Sequence, residues 1–396
     1  MPNFMAELAG PREMFHLDFS GIFYHRWNKF PYYTSAMLLP SKDAFPIHRS
    51  KVAVLLVNYK DYAKRYLAPC YKSLLSQDYP RDLFEIFITD NSSTEESRAS
   101  IRQIAPEARI LSNTENLGWA GGNNTAIREA LEIDFDYIVL LNMDTVTEKD
   151  WLIRLVEKAD QRKDLHILQS KILLHGTRKI NSLGNRIQFL GYGYCNGYGQ
   201  EEPLPSRLPV DFASGAAMLV KREVFEKIGL FREEYFMYGD DLEFCWRARL
   251  AGYEVGLAED SVCHHKYDFR KVVNSIGYLE RNRLLTVLTL EKWQTLLMTL
   301  PALVLFQIGV LVYFTLRGKA TEMAKTALYF LKPKTWKRIR KIRTEIGQLR
   351  VRKDSEVVRA FAGRIVFSEI RSVSFYLFVN PLLWAYWNVV RLFIIW

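Results

Sequence analysis

Residues 52–58 read VAVLLVN and residues 83–90 read LFEIFITD, and these two stretches decide the fold class. The first is continuously apolar until Asn58, as in a strand buried on both faces of a parallel sheet. Between the two stretches, residues 67–75 carry apolar side chains at helical spacing. The three segments together predict one βαβ unit, and hence an α/β fold.

The same alternation of strand and helix continues along the chain, with a long Gly-, Tyr- and Pro-rich segment at residues 178–209 that predicts an irregular loop. The further predicted elements are a helix from Glu95, a strand at Ala108–Leu111, a helix after Gly122, a strand at Tyr137–Leu141, a strand at Phe212–Val220, and helices at Arg222–Ile228 and Asp241–Ala251.

Polar residues follow three of the predicted buried strands, namely Asn58, Asp90 and Asp144. Because parallel strands bring their carboxyl ends to one edge of the sheet, these residues are expected to meet in a crevice, the usual nucleotide site of open α/β sheets. Asn and Asp also end strands and start turns without any ligand, so a single one of them would indicate little.

The composition places the chain among globular proteins, with 49% apolar and 25% charged residues in 396. Thirteen Lys or Arg against three acidic residues lie between Arg317 and Asp354, which equals the net charge of +10 for the whole chain. Apolar segments flank this basic stretch on both sides. A membrane surface is therefore the expected partner, and no nucleic acid is expected.

The four cysteines are scattered without metal-site spacing, which favours a reducing compartment. Residues 1–50 mix charged and aromatic side chains and do not resemble a signal peptide. The protein is therefore expected to stay on the side of the membrane where it was made.

Five motifs occur in a fixed order and together resemble glycosyltransferase family 2, the inverting GT-A enzymes, in its rhamnosyltransferase-like branch. The resemblance runs from about Val52 to Asn282. The motifs are Val57-Asn58-Tyr59, Asp90-Asn91-Ser92-Ser93, Asn116 to Asn124 (NLGWAGGNN), Leu140 to Asp144 (LLNMD), and Gly229-Leu230-Phe231 through Tyr238 to Cys245 (YGDDLEFC).

The resemblance implies a GT-A catalytic domain at residues 51–290 with a mostly parallel central sheet. An N-terminal extension at 1–50 and a helical, membrane-associated region at 291–396 are expected around it. It further implies transfer of a sugar, with rhamnose favoured, from a nucleotide diphosphate donor. The expected membrane attachment favours a lipid-linked or cell-envelope saccharide as the acceptor, at the cytoplasmic face of the membrane.

Nucleotide-binding residues carried over from the family motifs lie at the strand ends and in the glycine-rich segment. Glycines let the backbone approach a ligand, and the amides of the following helix can bind phosphate. The predicted nucleotide-binding residues are Asn58, Asp90, Asn91, Asn116, Gly118, Gly121, Asn124, Asn142 and Arg281. Arg281 could equally be a surface residue of an amphipathic helix.

A divalent cation, Mg²⁺ or Mn²⁺, is expected because it stabilises the negative charge of a departing diphosphate. The resemblance places Asp144 at the metal motif, with Asn142 in the position of the first carboxylate. His264 lies where related enzymes have a metal-binding histidine. A capped turn at residues 142–144 and a solvated histidine pair are the structural alternatives.

Inverting transfer needs a base that removes the proton of the acceptor hydroxyl, and Asp241 is the residue that the family pattern indicates. Asp240 precedes it in the place of the family's glutamate. Two adjacent acids raise each other's pKa, which favours a base. Alternatively, both are acids that stabilise the N-terminus of a helix.

Two apolar segments near the C-terminus, residues 296–316 and 373–396, could contact a membrane. A single crossing at 296–316 would place the basic stretch on the far side, against the positive-inside rule. The interfacial arrangement is therefore the preferred prediction, and a buried helix bundle is the alternative. The rival function is a non-catalytic membrane-attached scaffold or regulatory binding protein that retains the fold.

Overall fold

The computed structural model describes residues 50–201, 208–267, 275–366 and 375–396. The predicted extension 1–50 therefore lies outside the described residues, except for Ser50. Residues Ile47–Trp396 cluster as one compact unit. The boundary expected at residue 290 stays a prediction.

The strands are β1 (Val52–Tyr59), β2 (Phe84–Asn91), β3 (Arg109–Asn113), β4 (Tyr137–Leu141), β5 (Thr145–Thr147), β6 (Ile167–Leu174), β7 (Ile180–Ser182), β8 (Asn185–Ile187), β9 (Gly193–Cys195), β10 (Ala217–Lys221) and β11 (Val255–His265). The α-helices are α1 (Tyr62–Leu75), α2 (Glu95–Ile104), α3 (Gly118–Glu132), α4 (Trp151–Gln161), α5 (Arg222–Ile228), α6 (Asp240–Leu250), α7 (Ile276–Leu290), α8 (Trp293–Leu316), α9 (Ala320–Leu331), α10 (Pro333–Leu349), α11 (Asp354–Val357) and α12 (Asn380–Phe393).

The central sheet has the strand order β3-β2-β1-β4-β10-β6-β11-β5, with β7 pairing beside β6. The first four strands are parallel, as β1 pairs with both β2 and β4 in that direction. β10 runs antiparallel between β4 and β6. The predicted α/β fold of GT-A type with a mostly parallel sheet is confirmed, and the carboxyl ends of β1, β2 and β4 share one edge.

Several predicted bounds were wrong at their ends. The helix expected after Gly122 begins at Gly118, because its glycines pack against neighbouring segments. The strand expected at Phe212–Val220 begins only at Ala217, and four of the residues before it, Phe212, Ser214, Gly215 and Ala216, line the cleft described below. The segment 178–209 is less irregular than predicted, since β8 and β9 form a separate antiparallel pair.

The C-terminal helices share a hydrophobic core with the catalytic segment. Trp387 of α12 is fully buried and stacks on Phe189, with ring centroids 4.7 Å apart. Trp246 of α6 meets Phe361 edge-on at 4.6 Å. The segment from residue 291 onward therefore completes the core formed by the residues before it.

Among the described residues, α8 is the one helix long and apolar enough to cross a membrane, judged by length and composition alone. It has 24 residues, and a third of its most apolar window is buried. α12 has 14 residues, fewer than the roughly 20 that a span needs.

Candidate functional site: a cleft with acidic residues at the sheet edge

A cavity of about 880 Å³ opens at the carboxyl edge of the parallel strands. It is lined by residues of β1, α3, the β4–β5 turn, the β8–β9 region, and the start of α6. The predicted site residues that line it are Asn116, Gly118, Asn142, Asp144, Asp240 and Asp241. The acids expected on the two sides of the reaction, Asp144 and Asp241, therefore face the same space.

Asn58 and Asp90, at the ends of β1 and β2, are fully buried and bind each other. The Asn58 side-chain amide donates to Asp90 Oδ1 at 2.6 Å, and its carbonyl oxygen accepts from the backbone N–H of Ala63 at 2.7 Å. The second Asp90 oxygen accepts from the Ser97 hydroxyl. Neither side chain lines the cavity, so they hold the starts of α1 and α2 next to it.

The glycine-rich start of α3 is shaped by close backbone packing. Gly118 has φ +72°, and a Cβ there would lie 2.2 Å from the carbonyl oxygen of Phe236. The Asn91 amide donates to the Gly118 carbonyl at 2.8 Å, which ties β2 to this turn. Gly121 and Asn124 point away from the cavity, and Asn124 binds the backbone of Phe231.

Asn142 and Asp144 lie in the turn between β4 and β5, and they have different partners. The indole N–H of Trp119 donates to Asn142 Oδ1 at 3.1 Å. The Tyr62 hydroxyl donates to Asp144 Oδ2, and burial and this carboxylate raise the Tyr62 pKa well above its usual range. His265 Nε2 lies 3.2 Å from Asp144 Oδ1. Asp144 is thus held by an aromatic hydroxyl and an imidazole.

The histidine next to Asp144 is His265, whereas the sequence pattern had indicated His264. Successive residues of β11 point to opposite faces, and His264 faces Glu148 with Nε2 2.6 Å from its carboxylate, outside the cavity. His265 lines the cavity, and its Nδ1 lies 2.9 Å from Asn181 Oδ1. Of the two histidines, His265 is therefore the one placed beside Asp144 and inside the cavity.

No group of three or more His, Cys, Asp or Glu side chains that could hold a metal occurs among the described residues. Asp144 and His265 nevertheless fit a site for Mg²⁺ or Mn²⁺, because such ions often take one or two protein ligands and complete their shell with phosphate oxygens and water. Asn142 is not required as a ligand, since its oxygen is engaged by Trp119.

Asp240 and Asp241 start α6 and differ in their hydrogen bonds. Asp241 Oδ2 accepts from the backbone N–H of Gly215 at 3.1 Å, and Oδ1 accepts from that of Leu242 at 2.8 Å. Asp240 Oδ2 is buried and has no hydrogen-bond partner within the described part of the chain. Burial raises the pKa of both carboxyls, and the neighbouring Asp241 raises that of Asp240 well above its usual range. Asp240 is therefore protonated more readily than Asp241, and Asp241 more readily takes the charged carboxylate form.

The loop before α6 has an unusual backbone. Phe236 and Tyr238 have positive φ without being glycine, and Gly239 follows with φ +78°. The side-chain amide of Asn282 donates to the carbonyls of Tyr235, Met237 and Tyr238 at 2.7–2.9 Å. Asn282 of α7 therefore holds this strained loop in place.

Arg281 does not line the cavity. Its guanidinium donates to the carbonyls of Glu234 and Tyr235 and lies over the rings of Tyr278 and Tyr329. The expected contact of Arg281 with a diphosphate has no support, because the guanidinium N–H groups donate to backbone carbonyls before α6. Arg281 instead supports the same loop as Asn282.

Sequence reasoning missed the aromatic lining of the cavity and the residues around Asp144. The lining includes Tyr62, Trp119, Tyr192, Tyr194, Tyr198, Tyr238 and Tyr267. The dense Tyr and Gly pattern of residues 192–198 was a usable signal, since aromatic residues flank sugar-binding clefts. Tyr62 gave no such signal, because it is one of several tyrosines in α1.

Comparison with known proteins gives the family. The family model described as Glycosyl transferase family 2 matches residues 53–229. The low-salt glycan biosynthesis hexosyltransferase Agl10 of Haloferax volcanii is 29% identical over 242 residues, which are 59% of this chain and 74% of that protein.

Two named rhamnosyltransferases are also similar. An N-acetylglucosaminyl-diphospho-decaprenol L-rhamnosyltransferase of Mycobacterium tuberculosis is 28% identical over 203 residues, or 46% of this chain and 66% of that protein. Rhamnosyltransferase WbbL of Escherichia coli is 27% identical over 223 residues, or 51% and 78%. The chain is therefore a glycosyltransferase that carries a family 2 domain of GT-A fold and is similar to the rhamnosyltransferases of that family.

Proposed function

We propose that the chain transfers a sugar from a nucleotide diphosphate donor to a saccharide acceptor with inversion, by a direct, metal-assisted displacement. The observation that carries this proposal is that Asp144 and Asp241 line one cavity at the carboxyl edge of the sheet. Asp144 would act on the departing diphosphate and Asp241 on the attacking hydroxyl, so both side chains must reach the same cavity.

On the donor side, Asp144 and His265 would hold a divalent cation, Mg²⁺ or Mn²⁺. Such an ion neutralises the negative charge that develops on the departing diphosphate. Tyr62 orients the Asp144 carboxylate through its hydroxyl. Asn116 and Gly118 line the cavity and would contact the nucleotide diphosphate with the Asn116 side chain. The phosphate contact expected from the helix amides has no support, because the N–H groups of Gly118, Trp119 and Ala120 already donate to Asn116 and Phe236.

On the acceptor side, Asp241 removes the proton from the attacking hydroxyl. The hydrogen bonds from the amides of Gly215 and Leu242 keep its carboxylate oriented and favour its charged form. Asp240, beside it, holds a proton and so avoids placing a second charge in the same buried site. The tyrosines around residues 192–198 offer ring faces to the acceptor saccharide.

Rhamnose carried on thymidine diphosphate is the proposed donor, and a lipid-linked or cell-envelope saccharide is the proposed acceptor. The support is the similarity to rhamnosyltransferases, one of which acts on a decaprenol-linked acceptor by its name. The apolar C-terminal helices agree with work at a membrane surface, and we propose its cytoplasmic face.

A donor screen tests the proposal. The purified chain is mixed with individual nucleotide sugars and Mn²⁺ or Mg²⁺, and thermal unfolding and release of nucleotide diphosphate are measured. A true donor at about 100 times its Kd stabilises the folded state by roughly 2.7 kcal/mol, and chelation of the metal removes most of that gain. If no common donor is bound or hydrolysed, the chain is a scaffold that has kept the fold.

A further inference from the structure

Helix α8 packs lengthwise on the catalytic domain. Its buried side chains form one face and are concentrated in its first half, with one further along: Thr295, Leu296, Thr299, Ala302, Leu303 and Val310. Near its middle, Gln307 accepts a hydrogen bond from the guanidinium of Arg283, and Phe306 meets the ring of Tyr192 with centroids 5.5 Å apart. Both partners line the catalytic cavity.

The opposite face of α8 is exposed and aliphatic. Its exposed apolar residues are Leu297, Leu300, Val304, Leu305, Ile308, Leu311, Val312 and Leu316. Helix α12 lies beside α8, since the Tyr386 hydroxyl donates to the Met298 carbonyl, and it exposes Leu382, Trp384, Val389, Leu392 and Phe393. We call these two sets of exposed residues the apolar face. Soluble monomers seldom leave so many neighbouring apolar side chains in water.

The lengthwise packing is incompatible with a membrane crossing by α8. Arg283 and Glu280 form a fully buried ion pair directly beneath the helix, 2.8 Å apart. A crossing would carry this pair and the adjoining cavity wall into hydrocarbon, at a cost of several kcal/mol for each buried charge. α8 can therefore meet lipid with its outer face only.

Basic residues follow α8 on the next two helices. Arg317 closes α8, and exposed lysines and arginines on α9 and α10 follow: Lys325, Lys332, Lys334, Lys337, Arg338, Arg340 and Lys341. Only Arg338 and Lys325 of this set form ion pairs within the described residues. Aliphatic side chains followed by uncompensated cations fit an anionic bilayer, because each cation near such a surface adds about 1 kcal/mol of attraction.

We propose that the apolar face docks in the plane of an anionic bilayer, with α8 parallel to the surface and no crossing by this helix. The cavity wall at Tyr192 and Arg283 then lies one helix thickness, roughly 10 Å, above the lipid. For the nature of the acceptor, this inference rests on the proposed function. A lipid-linked saccharide would reach the cavity from the leaflet in which α8 is docked.

Vesicle flotation tests the docking. The full chain is expected to float with vesicles of phosphatidylcholine and phosphatidylglycerol, and less with phosphatidylcholine alone. Leu305→Glu, at a residue 72% exposed, should lower partitioning about tenfold. Leu75→Glu, an exposed leucine of α1, is the matched control and should float like the wild type. A wild type that stays at the bottom, or a Leu305→Glu variant that floats equally well, overturns the proposal.

Labelling tests the in-plane orientation. Gln294→Cys and Arg317→Cys place thiols at the two ends of α8, and a membrane-impermeant maleimide is applied to sealed right-side-out and inside-out vesicles from expressing cells. In-plane docking predicts that both positions react in the same type of vesicle. Reaction of the two positions from opposite sides would mean that α8 crosses the bilayer.

Sugar transfer to a water-soluble acceptor separates this inference from the proposed function. Leu305→Glu should keep the wild-type rate with a soluble acceptor and lose about tenfold with an acceptor embedded in vesicles. If the wild type transfers sugar to neither acceptor, the proposed function fails. If both acceptors are used equally by the variant and the wild type, only the docking proposal fails.

Discussion

Asp240 and Asp241 are neighbours in the chain, yet their carboxyl groups have different hydrogen-bond partners. Asp241 accepts two backbone N–H groups, whereas one oxygen of Asp240 is buried with no hydrogen-bond partner among the described residues. Their order in the sequence does not reveal this difference. It arises because Gly215, far away in the chain, brings its amide to one carboxylate and not to the other.

Asp241→Asn should lower kcat by about a hundredfold to ten-thousandfold, because the amide cannot take the acceptor proton. Donor affinity, measured by thermal stabilisation with nucleotide and metal, should stay near that of the wild type. Asp240→Asn is the matched control and should lose less activity than Asp241→Asn. Full transfer by Asp241→Asn would remove the base assignment.

The raised pKa of Asp241 predicts the acid limb of the activity profile. Since burial favours the neutral acid, the active carboxylate is lost as pH falls through this raised pKa. The limb of kcat/KM should therefore lie above the ordinary aspartate value of about 3.9. Nucleotide binding followed over the same pH range is the control for unfolding. An acid limb at or below that value would contradict the assignment of Asp241, in its buried position, as the base.

Asn181 contacts His265, so its substitution should change the affinity of the proposed metal site. Its Oδ1 lies 2.9 Å from His265 Nδ1 and fixes the orientation of the imidazole ring, whose Nε2 lies next to Asp144. Asn181→Leu should weaken Mn²⁺ binding, measured by electron paramagnetic resonance with bound nucleotide, about 10- to 100-fold. Asn181→Asp keeps the acceptor and should retain Mn²⁺ binding. Equal affinity in the wild type and the leucine variant would contradict this role.

At the scale of elements, the loop from Phe236 to Gly239 aims the start of α6 into the cavity. Two non-glycine residues with positive φ store strain there, of the order of 1–3 kcal/mol each. Contacts from α7 and from the start of α3 hold the loop, as Trp119 N–H donates to the Phe236 carbonyl at 2.6 Å. Asp240 and Asp241 are therefore placed by a loop that depends on two other elements.

Asn282→Ala removes the amide that binds three carbonyls of this loop, and it should lower the free energy of unfolding by about 1–3 kcal/mol. It should also lower kcat more than it raises KM for the donor, because Asp241 moves while the donor side stays in place. Asn388→Ala is the control, since Asn388 is a half-buried asparagine with one hydrogen bond to the Trp384 carbonyl. Equal effects of the two changes would show that the loop is held by other contacts.

The sequence predicted the elements of the parallel half well, because each strand there is buried on both faces and shows a continuous apolar run. β1 and β4 were located to within about two residues. The start of α3 was missed because glycine normally interrupts helices. Here the glycines are required by close packing, as a Cβ on Gly122 would lie 2.7 Å from Val57.

At the scale of the whole molecule, the helices after residue 290 are part of the catalytic core. Asp354 of α11 is fully buried and binds Arg350 and the Thr295 hydroxyl, which joins α11 to α10 and α8. Trp387 completes the core beside Phe189. The proposed membrane contact and the proposed catalytic site therefore belong to one packed unit.

Trp387→Ala should lower the free energy of unfolding by roughly 3–5 kcal/mol, because it leaves a large cavity and removes the hydrogen bond from its indole to the Phe361 carbonyl. Urea unfolding of the purified chain measures the change. Trp384→Ala, at an exposed tryptophan of the same helix, is the control and should change stability little. Similar small losses for both would mean that the C-terminal helices fold separately from the catalytic segment.

The sequence by itself determined the α/β class, the polar strand ends, the acidic pair, and the apolar and basic C-terminal segments. Each of these features follows from the type and spacing of residues that are close together in the chain. Only the tertiary structure decided that His265 and not His264 meets Asp144, because the pairing of His265 with Thr145 sets which face of β11 points inward. It likewise decided which face of α8 remains exposed. Side-chain partners far apart in the chain depend on packing, which no local pattern records.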